Sequence, residues 1–325
     1  MIHLAKASDN KAWDSFLEVE KERQLVTIAH NPSLGRILAK TFGYKDENMF
    51  IMKDDQIIGV LPAVKVGKKL VSMPHFSYGG PIFCSKNKAN LEVSNLLDET
   101  SFELRGLQRV TDNFYANKIL SKVELKDCPE EQFMTISSSA RRKIRQARKR
   151  NFQVVHGGLE LLDDFYKVYS KRMFQKGSPP LGKDFFRNLL TDYEHGKAQI
   201  SAIYAKGNIA AAGFTLCYKD FNELCWVSSD KKYDRHNVNS LLYWNIIKDS
   251  IANGYCYFSM GRSTVNSTNH RFKKQWNPIE LPLFFNHSHS VGKSIKEFTF
   301  LTKLWKLQPF KTSILLGKYI SKYVY

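Results

Sequence analysis

The chain has 325 residues, with 49 Lys and Arg against 31 Asp and Glu, a formal net charge of +18. Apolar residues make up 43% and aromatic ones 13%, enough large side chains to build real cores and to exclude a disordered chain. Mean hydropathy is -0.37 and no run of about 18 uncharged apolar residues occurs, which excludes a spanning helix. Nothing in MIHLAKASDNKAWDSF reads as a secretory signal, so a cytoplasmic protein is expected. The positive excess calls for anionic partners: phosphates, nucleic acid or a membrane surface.

In chain order, residues 10–23 have helical spacing, with Trp13, Phe16 and Leu17 on one side. Residues 49–52 and 56–66 read as strands around the turn Lys53-Asp54-Asp55. Residues 69–73 form a third strand, running into PHFSYGGP. Residues 91–105 have apolar residues at helical spacing, and 109–114 and 119–125 read as strands. The second half repeats the order: helices at 159–174 and 183–193, a hairpin 199–218 around Lys206-Gly207-Asn208, and a strand at 223–229. A helix at 239–252 follows, closed by Gly254, then strands at 255–260 and 281–285. Two basic amphipathic helices, 293–307 and 311–323, end the chain. The hairpins recur at an offset of about 150 residues, a domain-sized spacing, so two copies of one mixed α/β unit are expected. The units are placed at 1–136 and 137–285, with a tail at 286–325.

Five cysteines with no CxxC pair, and nine histidines with no ligand spacing, give no metal site. Four other features carry chemistry. Residues 139–151 form a helix whose narrow face is Ala140, Ile144, Ala147 and Asn151; Arg141, Arg142, Lys143, Arg145, Arg148, Lys149 and Arg150 occupy the rest. Cations in its first turn oppose the helix dipole, so an acidic partner would stabilise it. The loop after residue 229 holds Asp230, Lys232, Arg235, His236 and Asn237, then opens a helix at Asn239 and Ser240, an anion site in form. An apolar strand delivers Gly261-Arg262-Ser263, followed by Arg271, Lys273 and Lys274 interleaved with Phe272 and Trp276. Tyr78-Gly79-Gly80 lets backbone approach a ligand or turn sharply.

The order GVLPAVKV, SMPHFSYGGP, SARRKIRQARKRNF, GSPP, VNSLLYWNIIKDSIANGYCYFSMGRS and RFKKQW resembles the FemAB-like branch of the GNAT superfamily, over residues 10–285. That resemblance implies an α/β fold of two tandem GNAT-like domains, each a mixed sheet flanked by helices. It also implies an acyl- or aminoacyltransferase of cell-envelope, peptidoglycan or exopolysaccharide assembly, in which an amine or hydroxyl attacks an activated acyl carbonyl. The donor would be acyl-CoA or aminoacyl-tRNA. The GNAT pyrophosphate-loop glycines have no counterpart in Arg235–Ser240, and a long coiled-coil arm has no room between Phe174 and Gln199, which leaves the donor open.

On this reading Arg262, Asp230 and His236 are the catalytic candidates. Tyr78, Gly79, Arg141, Arg142, Lys143, Arg145, Lys273 and Trp276 would meet a phosphate-bearing saccharide or peptide precursor. Lys232, Arg235, Asn237, Asn239 and Ser240 would meet the donor. No stable DNA complex is expected. The tail, with seven Lys and one Glu after Asn286, has the pattern of helices lying on an anionic membrane. A non-catalytic nucleic-acid-binding module and a peripheral membrane adaptor of polysaccharide assembly are the rival readings.

Overall fold

A computed structural model describes residues 2–84, 96–97, 100–289 and 305–324. The first half contains β1 (Ile2–Lys6), α1 (Asn10–Glu20), α2 (Ser33–Phe42), β2 (Lys45–Asp46), β3 (Met49–Lys53) and β4 (Gln56–Leu61). It continues with β5 (Val64–Val66), β6 (Lys69–Val71), β7 (Ile82–Phe83), β8 (Phe102–Gly106) and β9 (Phe114–Glu124). The second half contains α3 (Pro129–Thr135), α4 (Ser138–Arg148), β10 (Phe152–Gly157), α5 (Leu162–Lys176), α6 (Lys183–Asp192), β11 (Gly196–Ala205) and β12 (Asn208–Tyr218). Then follow β13 (Phe221–Ser229), α7 (Lys231–Asp234), α8 (Val238–Ala252), β14 (Tyr257–Thr264), α9 (Thr268–Lys274) and β15 (Ile279–His287), with α10 (Phe310–Ile320) near the end.

Local chemistry explains several boundaries. Asp9 caps α1 by accepting from the Lys11 and Ala12 amides, and Ser137 caps α4 through the Ala140 amide. α5 stops at Gly177, whose φ of 75° is a left-handed closing position. α8 is apolar nearly all round and is buried accordingly, between the sheet and α4. Of α4, only Ala140, Ile144 and Ala147 are buried; the helix ends at Arg148, and Asn151, expected on the same face, lies beyond it and is exposed.

β1-β3-β4-β7 form a small antiparallel sheet, while eleven strands form one continuous sheet in the order β10-β11-β12-β13-β14-β9-β15-β8-β6-β5-β2. α5 and α6 cover one face of β11–β13, and α8 and α4 the other. Among the described strands only two pairs are parallel, one in each half: β6 with β8 and β13 with β14. The hairpins that suggested a repeat are both present, but β3–β4 lies in the small sheet and β11–β12 in the large one.

The halves are joined more tightly than two units on a linker. β9 of the first half bonds β14 on one side and β15 on the other, and β15 also bonds β8. The expected boundary at 285/286 therefore falls inside β15. A second seam is aromatic: Phe42 of α2 meets Phe185 of α6 at 5.2 Å.

Other expectations need correction. Residues 102–105, expected at the end of a helix, form β8 together with Gly106, because Phe102, Leu104 and the backbone of Gly106 are buried in the sheet. Residues 109–113 form no strand, and RFKK, given no element from the sequence, lies on α9. Much of 91–101 and the helix expected over 293–307, up to residue 304, lie outside the described residues.

The Tyr78-Gly79-Gly80 glycines serve packing. A Cβ at Gly80 would lie 2.7 Å from the Gly106 Cα, backbone against backbone. Gly80→Ala should therefore lower stability by about 1–3 kcal/mol. An unchanged urea midpoint would contradict this.

Candidate functional site

β13 and β14 pair for three residues only, Phe221–Tyr257, Asn222–Phe258 and Glu223–Ser259. Beyond them the strands part. β14 slips register against β9 between Ser259 and Arg262, and Gly261 takes a φ of 67°, the conformation of a bulge that only glycine adopts readily. The parted strands leave a cavity of about 310 Å³. Leu224–Val227 and Met260–Arg262 line it from the sheet, Tyr169, Met173 and Lys176 from α5, and His75, Phe76 and Ser77 from the first half. The two halves thus build one site.

Charged side chains concentrate at the bulge. Lys273 of α9, 6% exposed, donates from Nζ to the carbonyls of Gly261 at 2.8 Å and Arg262 at 3.0 Å. Arg262 donates from Nη1 to the Phe76 carbonyl at 2.9 Å, its guanidinium's one hydrogen bond among the described residues, and lies 5.6 Å from the Phe285 ring centre. Its backbone amide donates to Ser77 Oγ at 3.2 Å. Beneath Gly261 lies Glu223, 2% exposed, accepting from Ser259 Oγ at 2.9 Å and in hydrogen-bond contact with Ser77.

Burial shifts all three charged groups. It pulls the Lys273 amine down to about 8, with Glu223 opposing, and pulls Arg262 to about 10. It pushes the Glu223 carboxyl up against its two serine hydrogen bonds and the nearby Lys273 and Arg262. Two cations therefore stand on the cavity wall, with a carboxylate of raised proton affinity buried behind Ser77.

The candidate residues separate in space. Arg262 and Lys273 meet at the cavity. Trp276 does not reach it: it is 1% exposed and stacks on Tyr243 at 5.6 Å, within the core. Tyr78 lines a separate cavity of about 150 Å³ with Leu104, Gly106 and Asn286, and burial raises its phenol. The Gly79 amide donates to the Arg105 carbonyl at 3.1 Å. The loop they share does reach the site, through His75, Phe76 and Ser77.

Asp230 caps α7 through the Lys232 amide and pairs with Lys171 at 2.9 Å, contacts that lower its pKa against its partial burial. Neither it nor His236 lines the cavity. What burial His236 has depresses its imidazole, as do Arg150 and Arg235 beside it. Asn239 donates to Ser229 Oγ at 3.0 Å, and Ser240 is buried at the start of α8.

Asn237 donates to Gln146 of α4 at 3.1 Å. That contact joins two features that are 91 residues apart in the chain. Lys232, Arg235 and His236 thereby adjoin the basic end of α4, Arg145 to Arg150, on one surface. Lys143 bonds Gln275 at 2.8 Å, Arg141 the Met134 carbonyl at 3.3 Å, and Arg145 lies over the Phe133 ring. Arg142 is exposed. Among the described residues none of the seven cations at 141–150 has an acidic partner within 4.0 Å.

Sequence reasoning missed Glu223, Ser77 and Ser259. The available signal was a carboxylate within the apolar strand FNELCWV, since a buried acid needs a reason to be there. No group of His, Cys, Asp and Glu among the described residues has the arrangement of a metal site.

Comparison with known proteins adds the lineage. Residues 138–274 match the family described as acetyltransferase (GNAT) domain. No curated protein matches the chain in sequence. Among solved structures, FemX is 11% identical, with 81% of this chain and 96% of that one covered and a TM-score of 0.56. The structure of L-PGS from Bacillus licheniformis is 15% identical, with 94% and 99% covered and a TM-score of 0.54. A tandem GNAT protein from the clavulanic acid biosynthesis pathway is 6% identical, with 90% and 99% covered and a TM-score of 0.53. At these identities the likeness is one of fold: mixed α/β, in the tandem GNAT-like arrangement.

The Lys273 shift has a signed consequence. Its folded pKa of about 8 lies below the roughly 10.4 of an unfolded lysine. Between those values the unfolded chain holds a proton that the folded one has released, so this group's contribution to stability rises with pH. It is lost as pH falls through about 8. Denaturation of wild type and Lys273→Met across this range should show that rise in their difference; a flat difference would refute it.

Proposed function

We propose that the protein, whose residues 138–274 match the acetyltransferase (GNAT) domain family, is an acyl- or aminoacyltransferase acting on an amine or hydroxyl of a phosphate-bearing cell-envelope precursor. The family match supports the reaction type, and the FemAB-like resemblance supports the precursor class. The observation that carries the reading is the cavity where β13 and β14 part, with Arg262 and Lys273 on its wall and Glu223 behind Ser77.

The acyl carbonyl sits between the parted strands, and the acceptor amine or hydroxyl attacks it. The oxygen gains negative charge as the new bond forms, and Lys273 and Arg262 stabilise that charge in a site shielded from water. The attacking group loses its proton to Ser77 Oγ as the serine passes its own to Glu223. Glu223 then returns a proton by the same route to the leaving thiol or ribose hydroxyl as the old acyl bond breaks. Burial raises the carboxyl's proton affinity, which suits it to this relay. The free amides at the start of α8, with Lys232, Arg235 and Asn237, receive phosphates of the donor. The unpaired cations of α4 extend that surface, which suits a polyphosphate donor of either kind.

The test is transfer from acetyl-CoA or from charged tRNA to a nucleotide-linked peptidoglycan precursor, followed by mass spectrometry. Arg262→Ala should lower turnover about 100-fold or more, and unchanged turnover would remove its role. Activity should also fall as pH rises through about 8, where Lys273 loses its proton. In Lys273→Arg that limb should move to higher pH; an unmoved limb would detach it from Lys273.

A further inference from the structure

The last described helix turns its large side chains outward. α10 and the turn Ser321–Tyr323 meet the body of the protein through Ser313, Gly317 and Ser321, all buried and four residues apart. A Cβ on Gly317 would lie 2.6 Å from Pro180, so the helix sits close. Phe310 packs on Phe174 of α5 at 5.6 Å, Lys318 pairs with Asp184 at 2.8 Å, and Tyr44 bonds the Lys322 carbonyl at 2.5 Å. The helix is therefore docked, and its orientation is set.

On the far side Leu315 is 62% exposed, Tyr319 59% and Tyr323 64%, with Leu316 and Ile320 beside them and Leu307 upstream. A helix on a water-facing surface has the opposite arrangement, large apolar residues inward and polar ones outward. Residues 298–325 contain five lysines and no acid. A second copy of the chain suits this face poorly, because it would set lysine against lysine with no counter-charge.

We propose that α10 lies flat on a bilayer containing anionic lipid. Leu315, Leu316, Tyr319, Ile320 and Tyr323 enter the boundary between headgroups and acyl chains, and the exposed Lys306 and Lys311 meet the headgroups. No helix among the described residues is long and apolar enough to cross a membrane, so this contact is one of surface attachment.

The attachment also positions the cavity. Tyr44 bonds both the Lys322 carbonyl and, at 3.3 Å, the ring of His75, which lines the cavity. α5 supplies both the seat of α10 and three cavity residues. A docked α10 therefore holds the site close to the lipid surface, where a lipid-borne acceptor would be presented. The docking itself stands apart from the transfer reaction, since vesicle binding is read without substrate.

The experiment is flotation of the full chain with vesicles of phosphatidylcholine alone, or mixed with an equal part of phosphatidylglycerol. Wild type should float with the mixed vesicles, and less so in high salt. L315S/Y319S/Y323S should bind about tenfold less or weaker with an unchanged melting temperature, because the three side chains face solvent. K306E/K311E tests the charge with the apolar face intact and should also weaken binding. Met134→Ser, at a 67% exposed apolar site elsewhere, should float as wild type. Failure of wild type to float, or flotation of either multiple variant equal to that of wild type, would overturn the proposal. So would self-association in sedimentation that L315S/Y319S/Y323S abolishes without wild-type flotation.

Discussion

The parting of β13 from β14 is the constraint around which the second half is arranged. A sheet that opens in its interior exposes backbone groups that would cost about 1–3 kcal/mol each if left buried and unpaired. Here the cost is met by side chains. Lys273 satisfies two of the freed carbonyls, Ser259 Oγ receives the Gly261 amide at 3.0 Å, and Ser77 Oγ receives that of Arg262. Lys273 is thus needed for the opening to exist and is also a cation facing into it. Its burial, which lowers its pKa, follows from the same geometry.

The positive excess resolves into places once the fold is known. The α4 cations share a surface with the loop before α8, and the tail lysines border an outward apolar face. Ion pairs elsewhere knit the halves: Lys40 with Asp192 and Arg36 with Glu194 flank the α2–α6 contact. These are exposed pairs of small individual worth, and the buried aromatic contact beneath them contributes more.

Elements with an unbroken period were legible in the sequence. The hairpin β11–β12, the wide apolar coverage of α8 and three of the four residues expected on the inner face of α4 came directly from residue spacing. β8 was not, because Leu96, Leu97 and Phe102 mimic a helical stripe, whereas Phe102–Gly106 pairs as a strand with β6 and β15. α9 was missed because seven residues, three of them basic, show too little periodicity, and its start rests on a single cap from Ser267 to the His270 amide. Arg262 and Lys273 stood out as charges flanking an apolar strand. Glu223 and Ser77 acquire meaning only when a loop from the first half folds against a strand of the second, a juxtaposition that no local pattern carries. Asp230 and His236 drew attention by their chemistry, but their immediate neighbours claim the first as a cap and leave the second among arginines.

The sharing of β9 has a practical corollary. Because this strand is hydrogen-bonded on both flanks, by β14 and by β15, the two halves depend on each other for strand pairing. Neither can be excised without baring a strand edge that the other now covers, an invitation to intermolecular pairing. The substrates must reach the cavity past side chains and loops, since the two halves are woven into one sheet and cannot swing apart as a clam does.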